Sequence, residues 1–456
     1  MISFILELGK IVLATLIQAL PIFWVVVLLV YFQYRRAAGM EKKLFGRIIN
    51  PVGRQVAVST GLGVLGGLLA SLIMLLLGLS LTQIGLLFIW PVALLLLLIH
   101  PRYLCFAYAG GIVALAVLIL RFLLLPLFPS LAGYAFVTSM LEIHIPALLA
   151  LVGLLHLIEV LLIYLGGHRG SSPLYFKRAD GDVVGAFSLQ RFWPIPLAAL
   201  VATVVLETEI QGVSMPDWWP LIKPVMELEP GQTLQYLAFP AMAALGFSDL
   251  ALSSSPREKS VSTARVLCLY SVILIALALA SEFYSWVAPA GVLFAPLGHE
   301  ALIHYGNRLE QSRTACYRST QEGVLLMAVL PHSAAARAGL LTGDLIRRVN
   351  GAQVNSDVEF LVQLEESYFM VLLEGFREGS AISVVLNKRD PEEKNSLDLP
   401  FRDRPTVTTE QTPLWHRGAA LGLIPAPSRQ TPIYAQARPA AASSLLRRLW
   451  KRYRNG

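Results

Sequence analysis

Long apolar runs separated by short charged stretches fill the first three hundred residues, and short alternating runs with turn residues replace them after Gln321. A helix crosses about 30 Å of hydrocarbon with about 20 apolar residues. On that rule the pattern predicts helical spans near 11–34, 56–79, 84–100, 104–120, 143–165, 193–206, 234–252, 266–280 and 286–303. The last contains Pro289, Pro296, His299 and Glu300, so the expectation is about eight spans. The first run ends at Arg35-Arg36 and is longer than the apolar core of a cleaved secretory signal, so it should stay in the membrane.

Composition strengthens this picture. Of 456 residues, 55% are hydrophobic and 15% charged, against roughly 25% charged for an average soluble domain, which argues against an ordinary water-soluble enzyme. Mean hydropathy is +0.61. The three cysteines, Cys105, Cys268 and Cys316, imply no disulfide framework. Charge also sets orientation, because Lys and Arg are retained on the cytoplasmic side. Segments 35–54, 101–103, 166–192 and 251–265 hold fourteen Lys and Arg, while the intervening ones hold Lys10, Arg121 and Lys223. The amino terminus is therefore expected outside, and everything after His304 in the cytoplasm.

Three motifs within the apolar part carry candidate chemistry. Gly61-Leu-Gly63-Val-Leu-Gly66 matches a dinucleotide fingerprint by letter, yet that motif needs a preceding strand, and here it lies inside a span. Gly63 and Gly67 read instead as a GxxxG pair for close helix packing. His299-Glu300-Ala-Leu-Ile-His304 has its second histidine one residue late for a zinc protease, since i and i+5 stand about 140° apart on a helix. No metal or other cofactor is expected there. His156 and Glu159, three apart in a firm span, share a face; mutual hydrogen bonding is the expected role, and a transport pathway the alternative.

The polar part reads as a small α+β unit. Residues 322–330 form a strand ended by Pro331, and 333–339 a short Ala-rich helix stopped at Gly339. Residues 345–349 are a strand entering the Asn350-Gly351 hairpin turn. Asn355-Ser356-Asp357 caps a helix over 358–366, and strands follow at 369–373, 381–387 and 397–401. The stretch from Gly323 to Val354 resembles a bacterial PDZ domain, with Gly339, Gly343, Asp344, Asn350 and Gly351 in scaffold positions. The resemblance implies a peptide-binding groove, for which Tyr317, Arg318, Val358 and Val362 are the candidate residues, although no Gly-Leu-Gly-Phe-like loop precedes Gly323.

The tail, 411–456, holds eight basic residues and no acidic one and is expected to be disordered up to a short basic amphipathic helix near its end. Arg447, Arg448, Trp450, Lys451 and Arg452 would lie on an anionic lipid surface, a partner favoured over nucleic acid.

The resulting expectation is a polytopic α-helical membrane bundle over 1–304, a PDZ-like domain over 305–405 and a disordered basic tail over 406–456. The layout, together with the segments from Val183 to Pro196 and from Phe294 to Glu300, resembles the MinJ-like family of bacterial cell-division topology proteins. That resemblance implies a cell-membrane scaffold at poles and septum without catalytic residues, docking DivIVA-like and MinD-like partners. An intramembrane metalloprotease with a PDZ domain and a transporter are the alternatives.

Overall fold

The computed structural model describes residues 2–178, 181–209, 213, 215–388 and 414–428. The helices of the first part are α1 Ile2–Gln18, α2 Leu20–Phe45, α3 Val52–Leu77, α4 Leu86–Ile99, α5 Phe106–Ile119 with a π-turn leading to α6 Leu125–Leu127, α7 Ala135–Leu141 and α8 Ile145–Gly166. After a β-segment come α9 Pro256–Phe283 and α10 Ala288–Ser312. Six helical stretches among the described residues are long and apolar enough to cross a membrane: Leu20–Phe45, Val52–Leu77, Phe106–Leu127, Ile145–Gly166, Pro256–Phe283 and Ser285–Ser312. Helix α8 is buried around most of its circumference and forms the centre, with α3 and α9 closing on it through Gly66 and Gly153.

Two of the expected spans are not helices. β2 Val183–Leu206 and β3 Gln232–Ala251 form one long antiparallel hairpin, joined at its base by β1 Ser172–Lys177 in the order β1-β2-β3. From Phe192 to Leu206 the strand rises roughly 45 Å, enough to cross a bilayer where a helix of the same residues would not be. Pro194, Pro196 and Pro240 and the branched residues Val201, Thr203, Val204 and Val205 favour strand over helix here.

The inner edge of β2 lies along α3, and every alternate residue from 192 to 202 is accommodated there. Tyr34 Oη accepts from Phe192 N–H at 3.2 Å. Pro194 and Pro196 have no N–H to satisfy. Ser71 Oγ accepts from Ala198 at 2.8 Å. Leu200 bridges Ser80, its carbonyl accepting from Leu81 at 2.7 Å, and Thr82 Oγ1 accepts from Ala202 at 2.8 Å. The carbonyls of Pro194 and Pro196 face Gly63 and Gly67, where an added Cβ would stand 2.1 Å from each oxygen. The glycine pair thus serves close packing, as expected, but its neighbour is a strand backbone rather than a second helix.

At one end of the bundle the 207–231 connection closes α3: Trp219 Nε1 donates to Leu75 O at 2.8 Å and Leu221 N–H to Leu77 O at 3.0 Å, satisfying helix-end carbonyls. At the opposite end buried Glu41 accepts from the backbone of Ile49 and Asn50, and buried Glu310 from Leu252 and Ser253. This second end carries the carboxy-terminal sheet domain.

That domain comprises β4 Val324–Val329, α11 Ala334–Arg337, β5 Leu345–Val349, β6 Ala352–Gln353, α12 Asp357–Glu366, β7 Met370–Arg377, β8 Ser380–Asn387, α13 Leu414–Ala420 and β9 Leu423–Pro425. Its sheet runs β8-β7-β5-β4-β9, with β6 beside β5, over a core that includes Phe360, Ile346 and Leu373. Asn350 and Gly351 both take positive φ, 51° and 84°, as their hairpin turn requires. The expected limit at residue 405 is overrun, because the segment 414–428 folds back into the sheet. The strand expected at 397–401 and the basic end helix lie outside the described residues.

Replacing Gly63 or Gly67 by Ala should cost about 3 kcal/mol or more, since the obstructing atom is backbone that cannot swing away. Gly61→Ala, with open space around it, should be nearly neutral. Thermal unfolding of the purified chain in detergent compares the three, and equal midpoints would remove the β2–α3 contact from the fold.

Candidate functional site

Two places gather functional side chains. The first lies about halfway along α8 and α10, where the amino end of α5 meets them. His156 is buried on α8, and its Nδ1 donates to Val152 O at 2.7 Å. Its Nε2 lies 3.3 Å from Cys105 Sγ, and His299 Nε2 lies 3.9 Å from the same sulfur. With both ring nitrogens engaged elsewhere, His156 does not form the expected hydrogen bond with Glu159, which sits half-buried one turn further on. The rings of Tyr108 and Tyr270 wall the cluster, each within 6 Å of His299, and Phe294 stacks on Tyr270.

His304 stays out of the cluster, as its spacing predicts. It stands 3.0 Å from Glu300 Oε1, which also accepts from Arg102 at 2.6 Å; Glu300 Oε2 accepts from Tyr108 Oη at 2.5 Å. Both carboxylate oxygens are therefore hydrogen-bonded to neighbours. Sequence spacing could not reveal the cluster, because Cys105, His156 and His299 come from three separate helices and only the histidines stood out as polar in apolar runs.

The second place is the sheet domain and its junction with the bundle. Asp344 is buried and held by Arg377 in a two-bond fork, 2.7 Å at each oxygen, while Oδ2 also accepts from Leu341 N–H. Gly339 and Gly343 take φ of 91° and 97° in the turns on either side of Leu340 to Thr342. Val358 and Val362 are half-buried on α12. Tyr317 and Arg318 lie elsewhere, at the base of the membrane hairpin: Gly185 N–H donates to Tyr317 O at 2.7 Å, the Tyr317 ring meets Phe187, and Arg318 pairs with Asp182 at 3.0 Å. These two residues join the sheet domain to the bundle.

The outer edge of β4 is covered by the chain's own tail. β9 pairs antiparallel with β4, Ser428 bonds Asp357 at the start of α12, and α13 packs on α12. The same segment reaches the bundle, since Tyr175 Oη donates to Pro425 O at 2.9 Å and Arg47 to Ala419 O at 3.2 Å. A run of small and apolar residues after Gly422, Leu-Ile-Pro-Ala-Pro, was the available signal for this strand, masked by the basic, Pro-rich composition around it.

Fold and sites together define a membrane-type chain: a helical bundle with an inserted hairpin, carrying a carboxy-terminal sheet domain. No family model matches it. Over 362 residues it is 27% identical to the cell division topological determinant MinJ of Bacillus subtilis (strain 168), covering 78% of this chain and 85% of that one. The probable cell division topological determinants MinJ of Lacticaseibacillus paracasei and Lacticaseibacillus casei (strain BD-II) are each 26% identical over 365 residues, 76% of this chain and 86% of theirs. The chain is MinJ-like.

Truncation after residue 428 should leave amide protection at β4 and Leu330 unchanged, whereas truncation after 413 should strip protection from Leu330, whose N–H donates to Gly422 O, spare Leu326, whose N–H donates to Asp344 O, and lower the stability of the sheet domain. Hydrogen exchange on the two truncated chains checks this, and identical protection in both would show that β9 does not cover the edge.

Proposed function

We propose that this chain is a non-enzymatic, membrane-anchored docking platform of cell division, which positions cytoplasmic partners at poles and septum. The observation that carries the reading is the similarity to proteins named cell division topological determinant MinJ, which extends over more than three quarters of the chain. DivIVA-like and MinD-like proteins are the proposed partners.

The proposed docking module is the sheet domain, read as PDZ-like. Its order of strand β4, short helix α11, the Asp344 turn, the Asn350-Gly351 hairpin and helix α12 supports that reading. Because β9 already pairs with β4, the proposed docking face is α12 with Val358 and Val362, bordered by β9. Tyr317 and Arg318 are reassigned to anchoring. The tail residues Arg447, Arg448, Trp450, Lys451 and Arg452 remain the proposed lipid-binding set, and His156 and Glu159 are not part of the docking function.

The proposed orientation puts the sheet domain in the cytoplasm. Basic segments 35–54, 166–192 and 251–265 meet at the sheet-domain end, linked by the Asn50–Ser171 bond and the Phe187–Ala251 strand pairing. Arg191 does not belong to an exposed loop: it lies buried on β2 against Gln55.

A fluorescent fusion in the native rod-shaped cell should mark septa and poles, and deletion of the gene should lengthen the cells. A uniform membrane signal with normal cell length would remove the division reading. A chain ending after residue 312 should keep its membrane association and lose partner recruitment.

Cys316 reports orientation. Burial, and then the carboxylates of Glu258 and Glu310, push its thiol above the ordinary range, so the reactive thiolate is scarce at neutral pH. Maleimide labelling should require permeabilised cells and accelerate as pH is raised. Modification of Cys316 by an impermeant reagent in intact cells would reverse the orientation.

A further inference from the structure

We propose that Cys105, His156 and His299 form a binding site for a thiophilic divalent cation of the zinc class. Their ligand atoms all lie within 4.8 Å of one another. A tetrahedral zinc ion with bonds of about 2.3 Å to sulfur and about 2.0 Å to nitrogen holds those atoms about 3.5 Å apart. The sulfur-to-nitrogen separations here, 3.3 and 3.9 Å, bracket that value.

The surrounding bonds prepare the ligands. A carbonyl oxygen can only accept, so Nδ1 of His156 carries the proton it gives to Val152, and Nε2 is the nitrogen that would offer a lone pair to an ion beside the sulfur. Cys105 sits at the amino end of α5, its sulfur accepting from Ala107 N–H at 3.5 Å, so the positive end of the helix faces it. Nδ1 of His299 is buried without a partner, and this ring is held by its aromatic neighbours. One thiolate and two imidazoles suit zinc, whereas calcium and magnesium require oxygen donors. Tyr108, Tyr270 and Phe294 supply a largely apolar wall. Three protein ligands leave a fourth position for water or another donor, and the ion would join α5, α8 and α10 at one point.

The site stands independently of the division role. The test uses the full chain, purified in detergent, stripped with a chelator and titrated with Co2+. The expected result is about one ion per chain, with a thiolate-to-cobalt charge-transfer absorption that zinc displaces. Cys105→Ser should abolish the band, while the Cys268→Ser, Cys316→Ser double variant keeps it. His156→Gln and His299→Gln should each weaken binding by about tenfold or more. If Cys105→Ser fails to fold, the double variant decides alone, because Cys105 is then the sole thiol left. A folded wild-type chain with no charge-transfer band would leave a plain thiol–imidazole hydrogen bond and overturn the proposal, as would a band that survives Cys105→Ser.

Discussion

A strand laid against an apolar helix bundle must have its outward backbone groups satisfied by protein, because each one left unpaired away from water costs about 1–3 kcal/mol. The rest of the membrane part follows from how the inner edge of β2 meets that demand. Proline removes two donors, hydroxyls from Tyr34, Ser71 and Thr82 accept three others, and Ser80 with Leu81 completes a bridge at Leu200. Glycine at 63 and 67 then lets the two proline carbonyls come against the helix itself. The small-residue face of α3 is therefore matched to particular backbone atoms, residue by residue.

That contact has long-range consequences. With β2 held along α3, the 207–231 connection is delivered to the carboxyl end of α3, where Trp219 adds a second bond to the Leu75 carbonyl, which the Gly78 cap also holds, and Leu221 takes up the Leu77 carbonyl. The base of the same hairpin emerges at the other end beside Tyr317 and the sheet domain. Glu41 and Glu310 act there in parallel ways, each gathering backbone N–H groups from a connection that lacks regular structure. The tail completes the junction by touching β1, α2 and β4 at once.

Much of this was legible in residues whose local role is unambiguous. Asn350-Gly351, the Ser356 cap and the stop at Gly339 depend on neighbours in sequence, and the sheet domain follows them closely up to Asn387. Five of the long apolar helices were likewise readable from length. The hairpin was not, since a continuous apolar run fits a buried strand as well as a helix, and periodicity cannot separate them. The shortness of 193–206 and its two prolines were the evidence for a strand, and they weigh only once a partner strand is recognised. The closeness of Cys105 to His156 and His299 was hidden for another reason: it depends on how three helices pack, and no spacing along the chain encodes it.

The tail strand changes what a docking function would require of this fold. A sheet edge that is already paired cannot serve as the template for an incoming extended segment, because its N–H and C=O groups are spent on β9. Recognition at this edge of the domain must then rest on side chains along α12, or on first displacing β9. Displacement would also break the bonds from Tyr175 and Arg47 to the same segment. Occupancy of the β4 edge and attachment of the sheet domain to the bundle are therefore coupled through one stretch of fifteen residues, 414–428.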